Sequence, residues 1–180
     1  MSKSAYSIPG KIGKLNTHII VVWVDNESGV LARVVGLFSG RGYNIESLAV
    51  AEVDSKNNIS RITIVTTGST QVIEQIKLQL KKLVPVHRVA DFKREDKNVI
   101  FKEMALFKVV GSNSKKEKAL KACKKYNAVI LDKTSKSYVI QITALRREID
   151  IAAKSLKKYG LVSISRTGAV AMTRGSEVFK

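Results

Sequence analysis

The chain has 180 residues, 44% of them hydrophobic, with one cysteine and a formal charge of +17. That length suits two domains of about 80–90 residues, and that composition suits packed cores rather than disorder. A lone cysteine excludes an intrachain disulfide, no apolar run approaches the ~18 residues of a membrane span, and no apolar stretch follows the basic N-terminus as a secretory signal requires. A reducing cytosol or an equivalent compartment is expected.

Residues 1–17 read as a basic tail, with Lys3, Lys11 and Lys14 and no acid. Ile19–Val24 is a β-branched run and predicts the first strand. A polar turn, Asp25 to Gly29, leads into Val30–Arg41, whose Val30, Leu31, Val34, Val35, Leu37 and Phe38 recur at helical spacing. Gly42 suits the left-handed position past a helix end. Asn44–Val53 and Ile59–Thr67 predict strands around the turn Asp54–Asn58. Gly68-Ser69-Thr70 offers helix caps, Gln71–Leu83 is an amphipathic helix, and Val84–Val89 is a fourth strand after it. The charged stretch Asp91–Asn98 reads as a linker. The second half repeats the order. It has strand Val99–Val110, helix Lys115–Tyr126, strands Ala128–Asp132 and Tyr138–Thr143, helix Arg146–Tyr159 closed by Gly160, and strand Leu161–Arg166 with a short apolar tail. Each half is strand, helix, strand, strand, helix, strand. The expected fold is α+β, two ferredoxin-like βαββαβ domains in tandem at 18–91 and 99–180, joined through 92–98.

The charge invites a nucleic-acid reading, and its pattern argues against one. Lysines outnumber arginines 23 to 9, whereas phosphate and base recognition use the guanidinium fork. Lys115, Lys116, Lys118, Lys121, Lys124 and Lys125 are expected on solvent faces, with no aromatic residues interleaved to stack bases. An acidic partner surface is the contact this charge favours.

No phosphate loop, zinc spacing or nucleophile elbow is present. Gly36, Gly40 and Gly42 fall within and after a helix, not between strand and helix, so they do not form a dinucleotide site. Cys123 reads as a small half-buried thiol, and Asp25 with Glu27 and Glu52 with Asp54 as solvated turn residues. One local feature suggests a site. The turn Asn26-Glu27-Ser28-Gly29 delivers a strand into a helix N-terminus, where backbone N–H groups lack partners and the dipole is positive. A carboxylate fits there. Gly29 lets a ligand approach the backbone, and Asn26 both donates and accepts, as a zwitterionic amino acid requires. On spacing alone the plainer reading has precedence: Asn26 and Ser28 cap the helix and Gly29 makes a turn.

The run from Asn26-Glu27-Ser28-Gly29-Val30-Leu31 through Phe38-Ser39, then Arg41-Gly42-Tyr43-Asn44-Ile45-Glu46-Ser47-Leu48, closely resembles the small subunits of acetohydroxyacid (acetolactate) synthase. The likeness continues through Gln75–Val89 and resumes in Ser165-Arg166-Thr167-Gly168 and Met172-Thr173-Arg174-Gly175. It implies that the first domain is an amino-acid-sensing ACT domain and that the chain is a non-catalytic regulatory subunit. It further implies a homodimer through the ACT domains and a partner large subunit holding thiamine diphosphate, Mg2+ and FAD. The implied effector is L-valine, in some members leucine or isoleucine. Carried over, Asn26 and Gly29 form the effector turn and the backbone of Val30 and Leu31 meets its carboxylate. Asn44 and Ile45 of the other subunit contact its amino group and side chain. Ala49 stands where some relatives have threonine, which bears on the pocket's shape. The rival readings are a stand-alone ACT-type sensor and a basic ferredoxin-like nucleic-acid-binding protein. The latter lacks the aromatic platform on its strands.

Overall fold

The computed structural model describes residues 15–94 and 96–176. Residues 1–14 of the expected tail, with Lys3, Lys11 and Lys14, Glu95 of the expected linker, and residues 177–180 lie outside the described residues, whereas Asn16 and Thr17, also expected in the tail, pair with β3 as part of β1. The elements in order are β1 (Asn16–Asp25), α1 (Val30–Ser39), β2 (Ser47–Asp54), β3 (Ile59–Gly68), α2 (Thr70–Leu80) and β4 (Val86–Lys93). They are followed by β5 (Val99–Val110), α3 (Asn113–Cys123), a 3-10 turn at Lys124–Tyr126, β6 (Val129–Lys133), β7 (Ser137–Ala144), α4 (Arg146–Lys157) and β8 (Leu161–Thr173). The chain divides into two compact units, with the main division after Asp96. One sheet has the order β2-β3-β1-β4 and the other β6-β7-β5-β8. Each unit is therefore a βαββαβ fold with its first strand inside the sheet, as the element order predicts.

In the first unit β1 lies between β3 and β4, antiparallel to both. Its run Ile19–Val22 is buried throughout, which explains why the sequence is continuously apolar there rather than alternating. Val30, Val34, Leu37 and Phe38 of α1 and Ile73, Ile76 and Leu80 of α2 are the buried helical residues. Each such side chain contributes about 1.5–3 kcal/mol by leaving water. Ser69 caps α2, its Oγ accepting from the Val72 N–H at 3.4 Å.

Several boundaries differ from expectation. The strand expected from Asn44 starts at Ser47, because the Asn44 carbonyl accepts from Thr66 Oγ at 2.7 Å instead of joining the strand ladder. The charged stretch read as linker begins inside β4: Asp91, Phe92 and Lys93 pair with Ile20, Ile19 and His18. His18 explains the acid there, since its Nδ1 meets Asp91 Oδ1 at 2.8 Å in a nearly buried pair. At the other end of β1, Asp25 is not simply a solvated turn residue, because its Oδ1 lies 2.6 Å from His87 Nε2 on β4.

In the second unit Ala105, Phe107 and Val109 of β5 share a core with Tyr138, Ile140 and Ile142 of β7 and with Ile149, Ala152 and Leu156 of α4. β8 does not stop at Arg166. It continues to Thr173, pairing with the first half of β5 beyond an irregularity at Glu103/Ala105. The apolar tail is thus strand, since a twelve-residue β5 offers it a ladder partner. Arg166 binds Glu103 through two guanidinium nitrogens and Asp150 through a third. Lys116 is a second departure: expected on a solvent face, it is fully buried. Its Nζ donates to the carbonyls of Thr134 and Ser135 and lies 4.9 Å from the Tyr138 ring centroid. The α3 ammonium thereby ties down the β6–β7 turn.

Candidate functional site

The turn after β1 is held from two neighbouring segments. The Asp25 N–H donates to the Pro85 carbonyl at 2.9 Å, and the Asn26 N–H to the Asn58 carbonyl at 2.7 Å. Asn58 Nδ2 donates back to the Asn26 carbonyl at 3.3 Å, and Ser60 Oγ to Asn26 Oδ1 at 3.0 Å. Ser60 therefore fixes the Asn26 amide, turning its oxygen inward and leaving Nδ2 as the outward donor. Reasoning from the sequence missed Ser60, which lies 34 residues away and is brought close only by strand pairing.

Gly29 sits at φ 84° and ψ −8°, a left-handed conformation, and leads directly into α1. No side chain caps α1 and no acid occupies its first turn. The expectation that Asn26 and Ser28 serve as caps is thus not met, because Asn26 is engaged with Ser60 instead. The Val30 N–H turns to the Glu27 carbonyl at 3.3 Å. That leaves the Leu31 and Ala32 amides as the first-turn donors for which the helix supplies no carbonyl. Asn26 through Gly29 and Leu31 are exposed while Val30 is buried. A glycine with open space around it, an outward Asn26 Nδ2 donor and a positive helix end are chemically suited to a carboxylate.

Asn44 and Ile45 lie elsewhere. They follow the close of α1, where Gly42 takes φ 69° and the Tyr43 N–H donates to the Phe38 carbonyl at 2.9 Å. Asn44 is anchored at Thr66 and Asn26 at Ser60, six residues apart on β3. At about 3.4 Å per residue that is roughly 20 Å. One chain therefore groups Asn26, Gly29, Val30 and Leu31 at one end of its sheet and Asn44 and Ile45 at the other.

Cys123 offers no nucleophile: it is 1% exposed, and burial pushes its thiol up to about 11. A thiol kept protonated is the reverse of a reactive one. Among the described residues no group of three His, Cys, Asp or Glu could hold a metal ion, and no helix is long and apolar enough to cross a membrane.

Residues 20–88, which form the βαββαβ unit with the open glycine turn at its first helix, match the model of the AHAS small subunit-like ACT domain, so this unit is an ACT domain. Residues 102–175 match the family model for the small subunit of acetolactate synthase. The acetolactate synthase small subunit of Aquifex aeolicus is 38% identical over 90% of this chain and 83% of its own length. The acetolactate synthase isozyme 3 small subunit of Salmonella typhimurium is 37% identical over 90% of this chain and 98% of its own. The crystal structure of the acetolactate synthase small subunit from Thermotoga maritima superposes with a TM-score of 0.81 at 32% identity, covering 89% of this chain and 99% of that one. The chain belongs to the acetolactate synthase small-subunit family, whose members are regulatory rather than catalytic.

Proposed function

We propose that this chain activates an acetolactate synthase large subunit in the cytoplasm and makes it sensitive to branched-chain amino acids, mainly valine. The observation that carries the effector site is the separation of its two halves. The turn Asn26–Gly29 with Val30 and Leu31 stands at one end of β3, and Asn44 with Ile45 at the other. A two-fold homodimer through the ACT domains brings one half from each copy together, and the effector then bridges the copies. The valine carboxylate meets the start of α1, the outward amide of Asn26 binds its polar end, and Asn44 and Ile45 of the second copy close over its amino group and isopropyl side chain.

The effector acts by favouring one quaternary state, and its leverage equals its difference in affinity between the two states. A coupling of about 1–3 kcal/mol suffices for a 5–150-fold change in response. The carbon–carbon bond chemistry belongs to the large subunit, which would carry thiamine diphosphate, Mg2+ and FAD. Acetolactate formation by the large subunit, with and without this chain and across a valine titration, tests the reading. Stimulation that valine reverses is the expected result. Absence of stimulation in a mixture of verified active partners refutes the subunit role.

A further inference from the structure

Residues 97–180 hold 19 of the chain's 32 Lys and Arg but 6 of its 15 Asp and Glu. Four of those six acids are engaged within the unit. Glu103 and Asp150 bind Arg166, Glu117 accepts from Tyr138 Oη, and Glu148 accepts from the Leu145 N–H at the start of α4. The positive charge is left to the surface, and α3 concentrates it. Lys118 and Lys121 stand at i and i+3 on one face of α3, with Lys115 a turn before them and Lys124 and Lys125 in the 3-10 turn that follows. All five are exposed.

Helix stability does not explain this arrangement. In α4 an acid, Glu148, stands in the first turn and Lys154 and Lys157 in the last, which matches the helix dipole. In α3 no acid stands in the first turn. Lys121 in the last turn of α3 suits the dipole, but Lys115 lies at its positive end, and Lys118 and Lys121 are spaced to repel one another. The opposite face buries Ala119 and Cys123 together with Lys116, whose ammonium is held by the β6–β7 turn. Beside the lysines an open cleft of about 470 Å³ is lined by Leu120, Lys121, Lys124, Asn127 and Ala128. Leu120 and Ala128 give it an apolar part beside Lys121 and Lys124.

The occupant must therefore be anionic and carry apolar groups. The exposed face holds lysines and no arginine, so it lacks the fork that reads phosphate. The nearby Tyr126 is half-buried with Lys125 Nζ 4.8 Å from its ring centroid, and forms no stacking platform. A nucleic acid would satisfy the charge alone, whereas an acidic protein segment satisfies charge and cleft together. We propose that the exposed lysine face of α3 docks an acidic surface of the acetolactate synthase large subunit. This rests on the small-subunit reading and goes beyond it by assigning the surface.

The test measures the Kd of the full chain for the large subunit by surface plasmon resonance from low to moderate salt. The chains compared are wild type, Lys118→Glu with Lys121→Glu and Lys125→Glu, the same three positions changed to Gln, and a control with Lys81→Glu and Lys82→Glu. Charge reversal is expected to weaken binding about tenfold or more and to flatten its salt dependence. Neutralisation falls between, and the control stays at wild type. Should the reversal variant lose its native circular dichroism, the Gln variant carries the comparison. Equal Kd values for all chains overturn this proposal alone. Failure of the wild type to bind overturns the small-subunit reading and the proposal with it. Mixed-sequence RNA binding that reversal abolishes, with large-subunit binding unchanged, assigns the face to nucleic acid and also overturns it.

Discussion

Substitution of Gly29 separates what the turn does for the fold from what it does for the effector. At Gly29 φ is +84° and a Cβ would meet nothing within 4 Å. Alanine there suffers backbone strain and no clash, a cost of about 1–2 kcal/mol. For a domain of 60–100 residues that corresponds to a fall in Tm of about 4–16 °C. Aspartate tolerates the left-handed region better than alanine, so Gly29→Asp is expected to be no less stable than Gly29→Ala. Its effect on the effector is larger. Two carboxylates about 4 Å apart repel by about 1 kcal/mol in water and about 4 kcal/mol at an effective dielectric near 20. The half-inhibitory valine concentration should therefore rise at least about fivefold in Gly29→Asp, up to complete insensitivity. The rise in Gly29→Ala should be smaller, and activation by saturating subunit should survive in both. The assay is acetolactate formation across a valine titration, with thermal unfolding of each variant alongside. A folded Gly29→Asp with the wild-type half-inhibitory concentration refutes the site. Equal losses in the two variants refute the electrostatic argument.

Gly160 provides a contrast within the same molecule: its φ is +90° and an added Cβ would lie 2.2 Å from the Val110 carbonyl oxygen. Gly160→Ala should cost about 3 kcal/mol or more, seen as a large drop in the urea midpoint, and an unchanged midpoint would contradict the described turn. Lys116→Ala removes two charge-assisted hydrogen bonds and leaves a cavity, at about 2–4 kcal/mol. Lys116→Met keeps the volume and should cost about half as much by the same denaturation. Cys123 should resist a disulfide reagent at pH 8 until the chain unfolds, because burial keeps its proton on. Its thiol is raised from 9.0 to about 11, so the unfolded chain loses the proton first. The thiol's contribution to stability is full below pH 9.0 and is lost as pH rises to about 11. Rapid native-state labelling at pH 8 would refute the burial.

The sequence alone determined the features that depend on near neighbours. Strand and helix periods are local, so the βαββαβ order of both units could be read directly, and a glycine between a strand and an apolar helical run already marks the turn at Gly29. Lys116 was also legible in part, since it lies three and seven residues before the buried Ala119 and Cys123, although the charge of a lysine by itself points to solvent. The tertiary structure decided what depends on residues distant in the chain. It set Ser60 against Asn26, gave His18 and His87 their carboxylates across strand pairs, and extended β8 along a long β5. It also showed that a buried ammonium can be satisfied by two turn carbonyls. It placed Asn26 and Asn44 at opposite ends of β3, which turns a list of effector residues into a proposal about two chains. That separation is a property of strand length and register, and no local pattern of residues encodes it.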